Sequence, residues 1–386
     1  MLAIEGIHYE TGEFIKVVVK DDNIHSIHKL TGDCKNAKYI IAPGLVDIQI
    51  NGFMGIDFNK DPLNREEWQK VIYHLSKIGV TTFYPTIITN SYKHLAYIFE
   101  ENMKILANDF VDSNMIGGFH LEGPYISKED GPRGAHDKEF VRAPNWNEFC
   151  ELQEKAQGMI KIITLSPEWD GAIDFIKKAT NSGIKVALGH TAAESKQIRE
   201  AVKAGAILST HLGNGAHSFL PRHPNYIWDQ LAEEQLWTSV IADGLHLPEN
   251  VLKVIEGLKN EKMVLISDSV ALAGMESGDY TTSVGGEVTL TKDGRLLLKD
   301  NPRLLAGSVK SVFQGVQHLV SKNICGLAES IHKASIYPAK LMGLPQRKGI
   351  NIGAKADFIL FGMDTANWQI IETYKNGKLV YQKGSV

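Results

Sequence analysis

Residues 185–214 read KVALGHTAAESKQIREAVKAGAILSTHLGN, and their order decides the fold. Val186, Ala187 and Leu188 form an apolar run too short for a helix, closed by Gly189 and followed at once by His190. Thr191 and Glu194 fit a Thr-x-x-Glu capping box, and Ile198, Ala201 and Val202 place an apolar stripe at helical spacing up to Gly205. A second short buried strand follows over 206–209, with His211 just past its end. Two parallel strands joined by one crossover helix bring their carboxyl ends side by side. The two imidazoles would then be close enough to share one ion; the alternative is two unrelated loop histidines.

Working outward, the same arrangement of amphipathic helix, glycine stop and β-branched strand recurs. Residues 66–77 lead through Gly79 into a strand at 80–85, and residues 172–180 lead through Gly183 into 184–188. Further strands fit 44–50, 115–121, 161–165, 239–242 and 263–267. With 206–209 the total is eight, the number a closed (β/α)8 TIM-like barrel requires. An open dinucleotide-binding sheet is the competing topology, but no G-x-G-x-x-G follows any strand.

The ends of the chain differ from its middle. Residues 14–20 and 24–27 read as strands around an Asp21-Asp22-Asn23 turn, and 357–361, 368–374 and 378–381 as strands with an Asn376-Gly377 hairpin turn. The expected organisation is a small β-sandwich domain from residues 1–43 plus 346–386, flanking a hydrolase barrel over 44–345. A β-hairpin is inserted near 280–298.

Composition narrows the function. A formal net charge of −4 and scattered lysines and arginines give no basic groove for nucleic acid. No apolar run approaches membrane-spanning length, and the start has no basic, then apolar, leader pattern. Cys34, Cys150 and Cys325 have no metal or redox spacing and read as buried thiols of a reducing compartment. The expectation is a cytoplasmic protein acting on a small molecule.

In such a barrel the chemistry gathers at the carboxyl ends of the strands. Standing there are Gln49 and Asn51, Glu122, His190, His211, Asp243 and His246, and Asp268. Glu122 ends an uncharged run, where an unpaired buried carboxylate would be costly and a cation is the simplest compensation. Glu122, His190 and His211 make one carboxylate and two imidazoles, a donor set suited to one divalent metal ion of the zinc type with a position open for water. Asp268, after the run Met263–Ile266, is placed to take a proton from that water and hand it to a departing amine.

The motifs resemble those of the amidohydrolase superfamily and, within it, the N-acetylglucosamine-6-phosphate deacetylase family. They are Pro43-Gly44-Leu45-Val46-Asp47, His120-Leu121-Glu122-Gly123-Pro124, Gly189-His190, Thr210-His211-Leu212-x-Asn214, Ala242-Asp243-Gly244-Leu245-His246 and Ser267-Asp268, in that order along essentially the whole chain. The resemblance implies hydrolysis of the N-acetyl group of an amino-sugar phosphate. It implies Glu122, His190 and His211 as metal ligands, Asp268 as base and then acid, and His136 polarising the acetyl carbonyl. It further implies His246 on the sugar, and Asn214, Gly215 and Arg222 on the phosphate, the arginine coming from the neighbouring subunit of a homodimer. Two departures stand out. Gln49-Ile50-Asn51 replaces the superfamily's His-x-His, which argues for one metal, and Gly213-Asn214-Gly215-Ala216-His217 departs from the usual phosphate loop. A cyclic-amide hydrolase or another N-acyl-sugar hydrolase would share much of this pattern, as would an inactive sugar-binding barrel. The cyclic-amide enzymes rely on His-x-His and a bridging lysine at the fourth strand, neither of which is present.

Overall fold

A computed structural model of the chain describes all residues except 32–37, 108–112, 283–285, 303–304, 365–366 and 385–386. Eight parallel strands follow one another in chain order: Leu45–Ile50, Val80–Ile88, Phe119–Glu122, Ile160–Leu165, Lys185–Leu188, Ala206–Ser209, Trp237–Ile241 and Met263–Ile266. The ring closes between the first and the last, where Asp268 N–H donates to Gln49 O at 2.9 Å and Asn51 N–H to Ser269 O at 2.8 Å. This is a (β/α)8 barrel, and the eight expected strands are all present. The third is shorter than its apolar run: Gly118, at φ +143°, breaks the extended backbone, so the strand begins at Phe119.

The interior is filled as the pleat requires, with Val46, Ile48, Ile162, Ala187, Leu208, Ile241, Val264 and Ile266 in one buried cluster. Tyr337, Ala339 and Leu341 of the helix Ile336–Met342 pack into that cluster, while the outward-facing strand residues join the helices in a second, larger one. The helix of the opening stretch runs Ser195–Ala204 and buries Ile198, Ala201 and Val202. Its capping box is Glu194 with Gln197, not Thr191 with Glu194. Thr191 instead bonds Ser166 Oγ at 2.7 Å and accepts from Ala193 N–H, because the chain after His190 must first turn away from the barrel mouth.

Strands from both ends of the chain form a separate seven-stranded sheet, in which Ile40–Pro43 lies antiparallel to Phe358–Asp364. Where it meets the barrel stands a buried ion pair. Lys375 Nζ lies 2.8 Å from Asp357 Oδ2 and donates to Thr82 Oγ1 at 3.2 Å. Residues 278–298 form a three-stranded antiparallel sheet of Gly278–Thr282, Gly286–Leu290 and Leu296–Leu298, one strand more than a hairpin. Among the described residues no helix is long and apolar enough to cross a membrane. Cys150 and Cys325 are free and half-buried rather than buried, and Cys34 lies outside the described residues.

Candidate active site

The sequence-predicted residues meet at the carboxyl ends of the strands. Glu122 is the last residue of the third strand, and His190, His211 and Asp268 each stand two residues past the end of the fifth, sixth and eighth. His190, His211 and Asp268 all have positive φ, at 49°, 29° and 46°. Left-handed backbone is unfavourable for residues with a Cβ, and three such residues around one mouth mark a place where geometry is held against local preference.

Glu122 Oε1 lies 3.0 Å from His211 Nε2 and 3.3 Å from His190 Nε2, and the two Nε2 atoms are 3.0 Å apart. All three side chains are buried. A tetrahedral ion with bonds of about 2.0–2.1 Å spaces neighbouring ligand atoms by roughly 3.3–3.4 Å, so this triangle has nearly the dimensions such an ion imposes. His190 Nδ1–H donates to Pro132 O at 2.8 Å, which leaves the Nε2 lone pair directed at the site. His211 Nδ1 is buried without a partner, which is unfavourable for a polar atom. The donor set therefore fits a divalent metal. His136 belongs to the same cluster, since one donor atom each from Glu122, His136 and His190 lie within 4.8 Å of one another. Its ring stands edge-on to His190 with centroids 4.4 Å apart, and its Nδ1 is 2.8 Å from Thr89 Oγ1.

Charge at the site is strongly redistributed. Burial would raise Glu122, yet the hydrogen bonds and charges of His190 and His211 hold it well below the usual carboxylate range. For His211, burial favours the neutral ring, but Glu122 outweighs it and pushes the imidazole up to about 9. Asp268 is pushed up to about 6 by burial and by the Glu122 charge. His136 is lowered to about 3 by burial and by its imidazole neighbour His190, so its ring is neutral.

Gln49 and Asn51 are not idle replacements for histidines. Gln49 Nε2 donates to Glu122 Oε1 at 2.7 Å, and Asn51 Nδ2 donates to Asp268 Oδ1 at 2.8 Å. The pairing of the first two strands slips between Asp47 and Ile50, a bulge of the kind that re-aims side chains beside active sites.

The remaining predicted residues line the mouth. His246 Nδ1 is 2.7 Å from Asp243 Oδ2. Asn214 N–H donates to His211 O at 2.9 Å, and Gly215, at φ +55°, lies against the His190 ring so closely that an added Cβ would sit 2.7 Å from Nδ1. Arg222 is exposed. Motif reading missed Thr89, whose only signal is a polar residue directly after the apolar run Ile87-Ile88. His120 is buried beneath Glu122, bonding Thr164 Oγ1 at 2.7 Å.

Residues 40–381 match the model of the amidohydrolase family. The chain belongs to that family. It is 32% identical over 357 residues to the N-acetylglucosamine-6-phosphate deacetylase of Mus musculus, covering 89% of this chain and 84% of the mouse protein. The enzyme of the same name from Bacillus subtilis is 30% identical over 351 residues, 89% of this chain and 85% of its own. Among solved structures, N-acetylglucosamine-6-phosphate deacetylase from Thermotoga maritima superposes with a TM-score of 0.84 at 25% identity, over 99% of this chain and all of that one. For this family member the clustered donors are accordingly read as a divalent-metal site.

Proposed function

We propose that this chain hydrolyses the N-acetyl group of N-acetylglucosamine-6-phosphate, giving glucosamine-6-phosphate and acetate. The observation that carries the reading is the triangle of Glu122, His190 and His211 with Asp268 beside it. The named activity of the relatives supports it. Glu122, His190 and His211 would hold one divalent ion, of the zinc type. When bound, that ion makes a water more acidic and polarises the scissile carbonyl.

The protein's own groups do the rest. Asp268 accepts the proton of the attacking water and returns it to the amine nitrogen as the carbon–nitrogen bond breaks. A carboxyl raised to about 6 suits both halves of that exchange near neutral pH. Thr89 Oγ1, 2.8 Å from His136 Nδ1, fixes the orientation of that ring. The neutral His136 helps to polarise the acetyl carbonyl. His246 contacts the sugar, and Asn214 and Gly215 hold the phosphate. The exposed Arg222 reaches the phosphate in the neighbouring subunit of a homodimer. The setting is cytoplasmic.

Two measurements test this. Metal analysis of the purified protein is followed by acetate release from N-acetylglucosamine-6-phosphate, N-acetylgalactosamine-6-phosphate and the unphosphorylated sugars. The first should be fastest, and equal rates with and without phosphate would remove Arg222 from its role. Asp268→Asn should keep the metal and lose turnover by orders of magnitude; survival of activity would refute the mechanism.

A further inference from the structure

Asp243 lies three residues before His246 in the loop after the seventh strand, and each of its oxygens is committed. Oδ1 accepts Leu245 N–H at 2.8 Å and His246 N–H at 2.9 Å, and Oδ2 lies 2.7 Å from His246 Nδ1. One carboxylate thus holds His246 by its backbone and by its ring. The loop is fixed from behind as well: Lys310 Nζ donates to Asp243 O at 3.3 Å. Gly244, at φ +77°, packs so tightly that an added Cβ would sit 2.5 Å from the His318 ring.

Two backbone N–H groups on one oxygen and the His246 ring on the other favour the ionised form of this carboxylate. The hydrogen bond of His246 is among the influences that hold Asp243 below the usual carboxylate range against burial. Such an acceptor requires a proton on the nitrogen facing it. The Asp243 side chain is 4% exposed and that of His246 is 11% exposed.

We propose that Asp243 is a positioning residue for the reaction: it holds His246 with its proton on Nδ1 and presents Nε2 to the substrate as a hydrogen-bond acceptor. The substrate group opposite is then a donor, a ring hydroxyl of the sugar. This rests on the amino-sugar reading above and adds which atom of His246 is used and what orients it. The same physical reasoning applies wherever a buried aspartate stands behind a functional histidine, where an amide replacement leaves the shape intact and reverses the tautomer.

The experiment separates the two claims. Nitrogen-15 NMR of histidine-labelled, metal-loaded protein reads the ring tautomer without any substrate, with the His246 signal identified by its loss in His246→Gln. Protonation on Nδ1 in the parent protein is expected, reversing to Nε2 in Asp243→Asn, whose amide nitrogen would donate to the ring. Protonation on Nε2 in the parent overturns the proposal whatever the substrate proves to be. Steady-state kinetics supply the second arm. Asp243→Asn should lower kcat/KM about 10- to 100-fold, as for other outer partners of functional histidines. The double variant Asp243→Asn/His246→Gln should be no slower than His246→Gln alone. A further loss in the double variant would show that Asp243 acts other than through His246. A parent with the expected tautomer and no activity on amino-sugar phosphates would sink the substrate reading while leaving the positioning intact.

Discussion

Gly215→Ala is a one-methyl test of whether the His190 ring is held where a metal needs it. Gly215 has φ +55°, and an alanine forced into left-handed backbone loses about 1–2 kcal/mol. The added Cβ would sit 2.7 Å from His190 Nδ1 and 2.8 Å from Cε1, where ordinary contact begins at 3.4 Å, so the ring must retreat by 0.7 Å. It has nowhere to go cheaply. Gly134 backs the ring so closely that its own added Cβ would be 3.3 Å from Cε1, and His136 stands edge-on at 4.4 Å between centroids. Retreat also lengthens the 2.8 Å bond from Nδ1–H to Pro132 O, which sets the tautomer. Loss of such an orienting bond costs about 10- to 100-fold in metal affinity. Titration of the metal-loaded protein with a competing chelator should show that loss, with urea unfolding of the metal-free protein lowered by about 1–2 kcal/mol of backbone strain and about 1–3 kcal/mol for the displaced ring. Metal affinity within twofold of the parent would refute the reasoning, because it would mean that the ring position is not what limits binding.

Two other substitutions address stability. Asp47 is buried under the barrel mouth and its carboxyl is pushed up to about 7 by burial, despite accepting N–H bonds from Ser267 and Gln49. The native state therefore binds a proton that the unfolded chain, with an ordinary value of about 3.9, releases earlier. The contribution of Asp47 is fully present below that unfolded value and is lost as pH rises towards 7. Asp47→Asn should remove that slope, at most about 4 kcal/mol across the window, and identical pH profiles of the urea midpoint would count against it. Lys259 is buried and donates to the carbonyls of Gln230, Glu233 and Leu236 at 2.9, 2.7 and 3.2 Å. Lys259→Met leaves them without that donor and should destabilise the fold by about 2–4 kcal/mol in urea unfolding; no loss would show that water replaces the ammonium freely.

Much of the site was legible because each of Glu122, His190, His211 and Asp268 breaks an apolar run at the point where a strand must end. A charge or imidazole in that place has few other reasons to be there, and the strand count supplied a common rim. What pairs with what was not legible. Gln49 reaches Glu122 across 73 residues and Asn51 reaches Asp268 across 217, and local pattern says nothing at such separations. The start of the helix after His190 differs from the expected cap because Thr-x-x-Glu fits the local rule and Glu-x-x-Gln does not, while the turn away from the barrel mouth sets the helix start at Glu194. The contact between His332 and Tyr9 OH at 2.9 Å likewise joins residues 323 apart, and it is made only when the terminal sheet closes against the barrel.

The two amides on the first strand bear on how one carboxylate can serve as both base and acid. Histidines in their places would direct lone pairs at the space between Glu122 and Asp268 and invite a second cation there. Gln49 and Asn51 instead direct N–H groups at the two carboxylates. Turning either amide over would set its oxygen against a carboxylate oxygen, so the orientation is fixed by charge. It leaves Asn51 Oδ1 buried without a donor, a cost accepted at this one atom. Amide oxygens are also weak partners for a zinc-type ion beside imidazole, so the rotation that would admit a second cation gains little. In the proposed mechanism the consequence falls on Asp268. A carboxylate ligating a second cation would be held more strongly ionised and would be a weaker base toward the proton of water. Held instead by one neutral N–H and raised to about 6 by burial, it can accept the proton of water and give it up again.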